Sequence, residues 1–335
     1  MTDCHQRPLP CLQATIRIMS EENETDTPSC CCASCGIAEI DDIKLKECSD
    51  CDLVKYCSDE CKQEHKSKHE EACQKRATEL RDEVLFKQPE SSHLGDCPIC
   101  FLPLSIDAKK CTLYSCCSKV ICNGCRYAHQ EFEGELQHKN CAFCRHPAPT
   151  SDKEAFLLMK KRMKANDPDA MCSIALYHKD NDNKKSCKYW IKAAALGNIS
   201  AHFYLSFMYR LGKGVEQNDK KALYHLEEAA IGGHADARHI MGAYEEDKGR
   251  HDRAAKHWII AANLGHDGSL NKLKEMYREG SVKKEDFASA LRAHHAAVNA
   301  TKSPQRERAE KHQAELEWHG LEASRSLKFR DIGHS

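Results

Sequence analysis

Cysteine pairs carry the chemistry of this sequence. Of its 22 cysteines, 20 lie between Cys4 and Cys144, and only Cys172 and Cys187 follow. From 32 to 73 the potential ligands fall in four pairs: Cys32-x2-Cys35, Cys48-x2-Cys51, Cys57-x3-Cys61 and His69-x3-Cys73. Two thiolates on one tight turn can reach one zinc ion at ~2.3 Å each. An x3 pair falls on one face of a helical turn. Eight ligands fill two tetrahedral sites and leave no open coordination position, which makes the ions structural rather than catalytic. Spacing leaves Cys30 and Cys31 competing for the place of Cys32, and His65 for that of His69.

A second run opens at Cys97-Pro98-Ile99-Cys100. Adjacent Cys116 and Cys117 follow, then Cys122-x2-Cys125, and Cys141-x2-Cys144 closes it. Side chains of adjacent residues point apart in extended backbone, so Cys116 and Cys117 can share an ion only across a tight bend. Cys111, His129 or His138 could replace one of them. Clusters of this kind bind metal in a reducing compartment and form disulfides in an oxidising one. The first 30 residues lack the apolar core of a secretory signal, so an intracellular, metal-bound chain is the expectation.

The ligand string of 32–73, with its Tyr56-Cys57-Ser58 step, resembles a MYND finger. The resemblance implies alternate pairing: Cys32, Cys35, Cys57 and Cys61 on one zinc, and Cys48, Cys51, His69 and Cys73 on the other. It also implies a proline-containing peptide as partner, although Lys62–Lys68 lacks the aromatic residue that the family carries before the histidine. The second run resembles a RING finger in an all-cysteine variant, with Lys119 where a histidine ligand is usual. Its cross-brace implies Cys97, Cys100, Cys122 and Cys125 on one zinc, and Cys116, Cys117, Cys141 and Cys144 on the next. About four Zn2+ per chain are then expected. That family recruits a ubiquitin-conjugating enzyme, which places Ile99 at the apolar contact and Arg145 at the cationic position after the last ligand. His129, where a large apolar residue often completes the platform, and Ala142, in place of a frequent proline, depart from it.

The elements around these clusters are helical. Residues 74–88 read as a charged helix with Leu80, Val84 and Leu85 on one stripe, stopped by Pro89, and Pro89–Asp96 reads as a polar linker. Ser151-Asp152-Lys153-Glu154 is a capping box that opens a basic helix through Lys164, its stripe of Phe156, Met159 and Met163 turned to the first repeat.

From Asp167 the chain repeats. Trp190-x2-Ala193-Ala194, Leu226-x2-Ala229-Ala230 and Trp258-x2-Ala261-Ala262 are each followed by glycine. The opening helices share an i, i+4 pair: Ala170/Ile174, Ala201/Leu205, Ala237/Met241 and Ser269/Leu273. A period in the thirties with two helices per unit is a solenoid signature. These details, with Leu211-Gly212-Lys213-Gly214-Val215, resemble Sel-1-like repeats, relatives of the tetratricopeptide repeat, over about 167–298. Stacked repeats leave a concave surface for a partner. Ser303-Pro304 would open a last helix, to about His319, that caps the array. The histidines of this half read as surface or packing residues, and His294-His295 as helix surface.

The expected fold is therefore mainly α: two small cross-braced zinc fingers and an α-solenoid of about four helix pairs. The segments are a mobile N-terminus (1–29), the MYND-like finger (30–73), a helical linker (74–96), the RING-like finger (97–147), repeats (151–298), and a capping helix with a mobile tail (299–335). The expected function is a zinc-binding adaptor with ubiquitin-ligase character, the repeats selecting a client protein. Its rival is a non-catalytic scaffold or corepressor-type module. Charge is balanced, with 50 Lys+Arg against 51 Asp+Glu, and no basic recognition helix is present, which argues against nucleic acid. No window suits a membrane span, and no SET-type motif supports methyl transfer.

Overall fold

A computed structural model describes residues 31–39, 43–133 and 140–318, of which 132, 133, 317 and 318 are described by their backbone alone. The expected mobile N-terminus and C-terminal tail lie outside these residues. The chain divides into two compact units, one ending at Leu85 and the other beginning at Phe86.

The first unit is a small finger followed by a long helix. β1 (Lys46–Glu47) pairs antiparallel with β2 (Lys55–Tyr56), and α1 spans Asp59–Leu85. The core consists of cysteine and Tyr56, with Cys32, Cys48, Cys51 and Cys61 buried together. A helix was expected only from 74, but α1 starts at Asp59. Ser58 accepts a hydrogen bond from Cys61 N at 3.3 Å, and Asp59 and Glu60 face the positive end of the helix. No glycine or proline interrupts the stretch from there to Leu85, so His69-x3-Cys73 rides on the helix, with Cys61 in its first turn and Cys57 two residues ahead of its start.

The second unit opens with residues 86–96, and these are not a free linker. The Phe86 ring lies 4.8 Å from that of His257, with Arg253 and Lys256 against its face. Asn263 Nδ2 donates to Gln88 Oε1 at 3.0 Å, and His93 N donates to Gly233 O at 3.1 Å. The segment lies along the repeats because Gly233, at φ +84°, lacks a side chain: a Cβ there would be 2.7 Å from Ser91 O.

A second finger follows. β3 (Cys111–Tyr114) and β4 (Lys119–Cys122) form an antiparallel hairpin in which Cys111 faces Cys122, and α2 spans Asn123–Glu133. Cys97, Leu104, Ile121, Cys122 and Cys125 form its core. α3 (Asp152–Lys164) starts at Ser151, whose Oγ accepts from Glu154 N at 3.2 Å. The reciprocal half of the box is shifted by one residue, since Glu154 accepts from Thr150 N at 2.7 Å. Its Met159 is buried and Phe156 packs on Tyr177.

Eight helices then form four pairs: α4 (Pro168–His178) with α5 (Asn183–Ala195), α6 (Ile199–Leu211) with α7 (Asp219–Ile231), α8 (Ala235–Asp247) with α9 (His251–Asn263), and α10 (Asp267–Arg278) with α11 (Lys284–Ala300). Side-chain caps recur at the opening helix of each of the four pairs. Asp167, Asn198, His234 and His266 each accept a hydrogen bond from a backbone N–H of the first turn. The alanine pairs let neighbouring helices approach, and Trp190 and Trp258, both fully buried, fill matching places in two core clusters. His294 is not helix surface: it is buried, and its Nε2 lies 2.9 Å from Asp267 Oδ1.

α12 (Pro304–Trp318) begins where expected, with Ser303 Oγ accepting from Arg306 N at 3.2 Å. Its packing was not expected. It lies against α2 of the second finger, with the Tyr127 and His312 rings 4.8 Å apart and Lys110 paired to Glu310 at 3.0 Å. A Cβ on Gly124 would come 2.7 Å from Arg306 Cγ, so glycine lets the two helices close.

Candidate metal centres

Four Cys-x2-Cys pairs, one in each ligand set, are held by the same backbone turn. The N–H of the residue after the second cysteine donates to the carbonyl of the first: Gly36 to Cys32 (2.9 Å), Asp52 to Cys48 (3.3 Å), Phe101 to Cys97 (2.9 Å) and Arg145 to Cys141 (3.0 Å). These four residues have φ of 75°, 55°, 57° and 61°. The left-handed conformation costs a non-glycine residue about 1–2 kcal/mol. It turns both sulfurs of the pair toward one point.

The sulfurs converge in four groups whose ligand atoms lie within 4.8 Å of one another: Cys32, Cys35, Cys57 and Cys61; Cys48, Cys51, His69 and Cys73; Cys97, Cys100, Cys122 and Cys125; and Cys116, Cys117, Cys141 and Cys144. Tetrahedral coordination at ~2.3 Å sets sulfurs ~3.8 Å apart. The observed separations match: 3.8 Å for Cys48–Cys73, Cys100–Cys122 and Cys117–Cys141, 3.6 Å for Cys57–Cys61 and 3.5 Å for Cys35–Cys57. His69 turns Nε2 to Cys51 Sγ at 3.0 Å.

Cys116 and Cys117 reach one centre because they occupy the turn of the β3–β4 hairpin. Ser118 N donates to Tyr114 O at 2.8 Å with Ser118 at φ 55°. The bend brings Cys116 Sγ to 3.4 Å from Cys144 Sγ. The alternatives stand elsewhere: Cys111 Sγ donates to Ser105 O, and His129 Nδ1 faces Arg145 Nη1 at 3.4 Å. His65 stacks beside His69 and shares a 3.1 Å hydrogen bond with Tyr56 Oη. Cys31 belongs to none of the four groups. Cys30 and His138 lie outside the described residues.

Thiols this crowded cannot all ionise by themselves. Hydrogen bonds with Cys117 and Cys141 push Cys116 far up, whereas bonds from Cys116 and Cys117 hold Cys141 down to about 2. Burial pushes Cys32 up, yet backbone N–H groups of Cys35, Cys57 and Ser34 outweigh it and leave that thiol at about 7. A divalent cation removes the conflict, because a coordinating thiol is deprotonated outright. Donor sets of four cysteines, or three cysteines and a histidine, suit zinc, and both kinds close its coordination shell.

Residues 32–73 match the MYND finger family. Residues 169–198, 199–234 and 237–266 each match the Sel1 repeat, covering α4–α5, α6–α7 and most of α8–α9. Neither match extends over 97–144. No curated protein matches the chain. Among solved structures, a Sel1 repeat protein from Oxalobacter formigenes is 27% identical, with a TM-score of 0.40 over 52% of this chain and 52% of its own. A protective antigen present in uropathogenic Escherichia coli strains, displaying an SLR fold, is 23% identical, with a TM-score of 0.39 over 52% of this chain and 38% of its own. The chain thus spans about half, or less, of the length of these structures.

The chain thus combines a segment that matches the MYND finger, three segments that match the Sel1 repeat and four cysteine-rich centres suited to zinc. Among the described residues no helix is long and apolar enough to cross a membrane.

Arg306 joins the third centre without any signature in the sequence around it. Its guanidinium enters the first knuckle of the second finger, 206 residues from Cys100 in sequence. No local pattern announces such a contact; only Ser303-Pro304, which fixes the start of α12, hints at where the residue would be.

Proposed function

We propose that the four centres hold structural zinc on the residues grouped above, that the repeats select a client protein, and that the finger at 97–144 works as a RING-type module. In that role it presents a ubiquitin-conjugating enzyme to the client, inside the cell where thiols stay reduced. The observation that carries this reading is exposed apolar side chain on a small zinc module. Ile99 and Phe143 lie on the x2 loops of two different knuckles and are 37% and 43% exposed, with Phe101 at 76%. A contiguous apolar patch on a surface marks a site for a partner, and we take these three side chains on one small finger as such a patch. Arg145 follows the last ligand on the second of those knuckles.

Autoubiquitination with a panel of conjugating enzymes tests the reading. Ile99→Ala should weaken enzyme binding with metal content intact, and Arg145→Gly should slow transfer more than it weakens binding. Glycine suits φ 61° at that position, so the second variant removes the guanidinium without disturbing the knuckle.

A second reading, the scaffold without transfer, draws on one contact: the Arg145 guanidinium is turned to His129 at 3.4 Å. Wild-type protein that transfers no ubiquitin with any enzyme would give this reading precedence. For the MYND finger we assign capture of a proline-containing peptide, and titration with a proline-rich peptide tests it. Lys62–Lys68 offers no Trp, Tyr or Phe for stacking, so binding weaker than micromolar would remove that assignment.

A further inference from the structure

We propose that Arg306 is an outer-sphere cation of the centre formed by Cys97, Cys100, Cys122 and Cys125, and that it couples metal retention there to the seating of α12. The inference rests on the zinc reading given above.

Arg306 is 7% exposed, and three of its guanidinium's four hydrogen bonds go to the knuckle. Nη1 donates to Pro103 O at 2.7 Å and to Thr301 O at 2.8 Å; Nη2 donates to Leu102 O at 3.1 Å and to Cys100 Sγ at 3.4 Å. Leu102 and Pro103 belong to the turn that holds the first ligand pair, since Cys97 N donates to Leu102 O at 3.0 Å. One side chain from the far end of the chain therefore braces both a ligand sulfur and the backbone that aims it.

Charge explains why a cation is useful there. Four thiolates around a dication carry a net charge of −2. In this centre Cys97, Cys122 and Cys125 are buried, so water screens that charge poorly. An N–H donor on a coordinating sulfur draws off part of the excess, and a guanidinium adds a full positive charge at close range. Outer partners of metal ligands commonly change metal affinity 10–100-fold. The coupling is reciprocal. If the metal leaves, the ligand turn loses its shape, and Arg306 loses the acceptors that hold α12 against Gly124 and Tyr127.

The test uses the full chain. Zinc release to a colorimetric chelator is followed in wild type, Arg306→Ala, Arg306→Lys and a Glu310→Ala/His312→Ala double variant. Cys122→Ser identifies the phase that belongs to this centre, because that phase disappears. Arg306→Ala should accelerate that phase alone by about 10-fold or more, with partial recovery in Arg306→Lys. The double variant loosens other α12 contacts but keeps the guanidinium, and it should release zinc like wild type. In parallel, chelation should speed hydrogen exchange of α12 amides. Unchanged release in Arg306→Ala overturns the inference, as does equal acceleration in the double variant, which would make α12 a mere cover. A wild-type protein with no ion at this centre overturns the zinc reading along with it, and metal counting separates that outcome from the others.

Discussion

His93 stacks on His234 with ring centroids 4.2 Å apart and planes within 10°. The pair joins the segment that follows Phe86 to the start of α8; His234 is buried and His93 partly so. Burial holds His93 down at about 4 and His234 well below its ordinary value, against the pull of the Asp236 carboxylate, which lies 3.6 Å from His234 and 3.3 Å from His266. In the unfolded chain both histidines titrate near 6.5, so the unfolded state takes up protons first as pH falls. Their contribution to stability is complete above pH 6.5 and is lost as pH drops toward 4. Urea melts followed by tryptophan fluorescence should show a lower midpoint at pH 5.5 than at 7.5. His93→Phe keeps the stacking and removes the proton site, so its midpoint should fall less. An identical fall in both proteins would free this pair of the effect.

Trp190 and Trp258 are both fully buried on second helices of their pairs. Trp190 stacks on Tyr204 at 5.1 Å, and Trp258 Nε1 donates to His239 O at 3.1 Å. Replacing either by Ala should cost roughly 3–5 kcal/mol. Gly242→Ala should harm the same core from the opposite side, because its Cβ would collide with the Trp258 indole. Denaturant melts with tyrosine or far-ultraviolet detection measure all three. Variants that melt like wild type yet lose a bound partner would make the tryptophans ligand contacts instead.

Metal counting separates ligands from bystanders. Cys116→Ser should lower the zinc content from about four ions to about three, whereas Cys111→Ser should leave it unchanged, since Cys111 only donates to Ser105 O. Loss of an ion in the Cys111 variant would reassign the last centre.

Gly233 is the point at which the 86–96 segment meets the repeats. Gly233→Ala places a Cβ 2.7 Å from Ser91 O and puts alanine at φ +84°. The left-handed backbone alone costs about 1–2 kcal/mol. The expected outcome is a lower melting midpoint and faster proteolysis between Phe86 and Asp96, with zinc content unchanged.

The ligand groups were readable because tetrahedral coordination forces short, regular spacings, and these survive in one dimension. Alanine pairs beside Trp190, Leu226 and Trp258 reported the helix pairs for a similar reason: close packing repeats with the period of the fold. The contacts of Phe86, His93 and Arg306 happen once each, between residues far apart in sequence, and have no period to betray them. Pro89–Asp96 looked like a linker because its composition is polar, yet the His93 backbone donor and the His93–His234 stack seat it, with Phe86 packed just ahead. The β3–β4 hairpin was hidden as well. Two short strands flanking Cys116 and Cys117 carry too few residues to show alternation, and the bend depends on Ser118 adopting a conformation that its identity does not demand.

The junction of Gly124 with Arg306 has a consequence for birth on the ribosome. Chains emerge at about 5–20 residues per second, so the interval between the last ligand of the third centre and the residue that backs it is roughly 10–40 s. During that time the second finger exists without its C-terminal brace, while the first finger, complete by Cys73, already has every ligand it uses. Translation thus orders the two halves of the metal complement, the earlier pair maturing locally and one member of the later pair waiting until Arg306 has emerged.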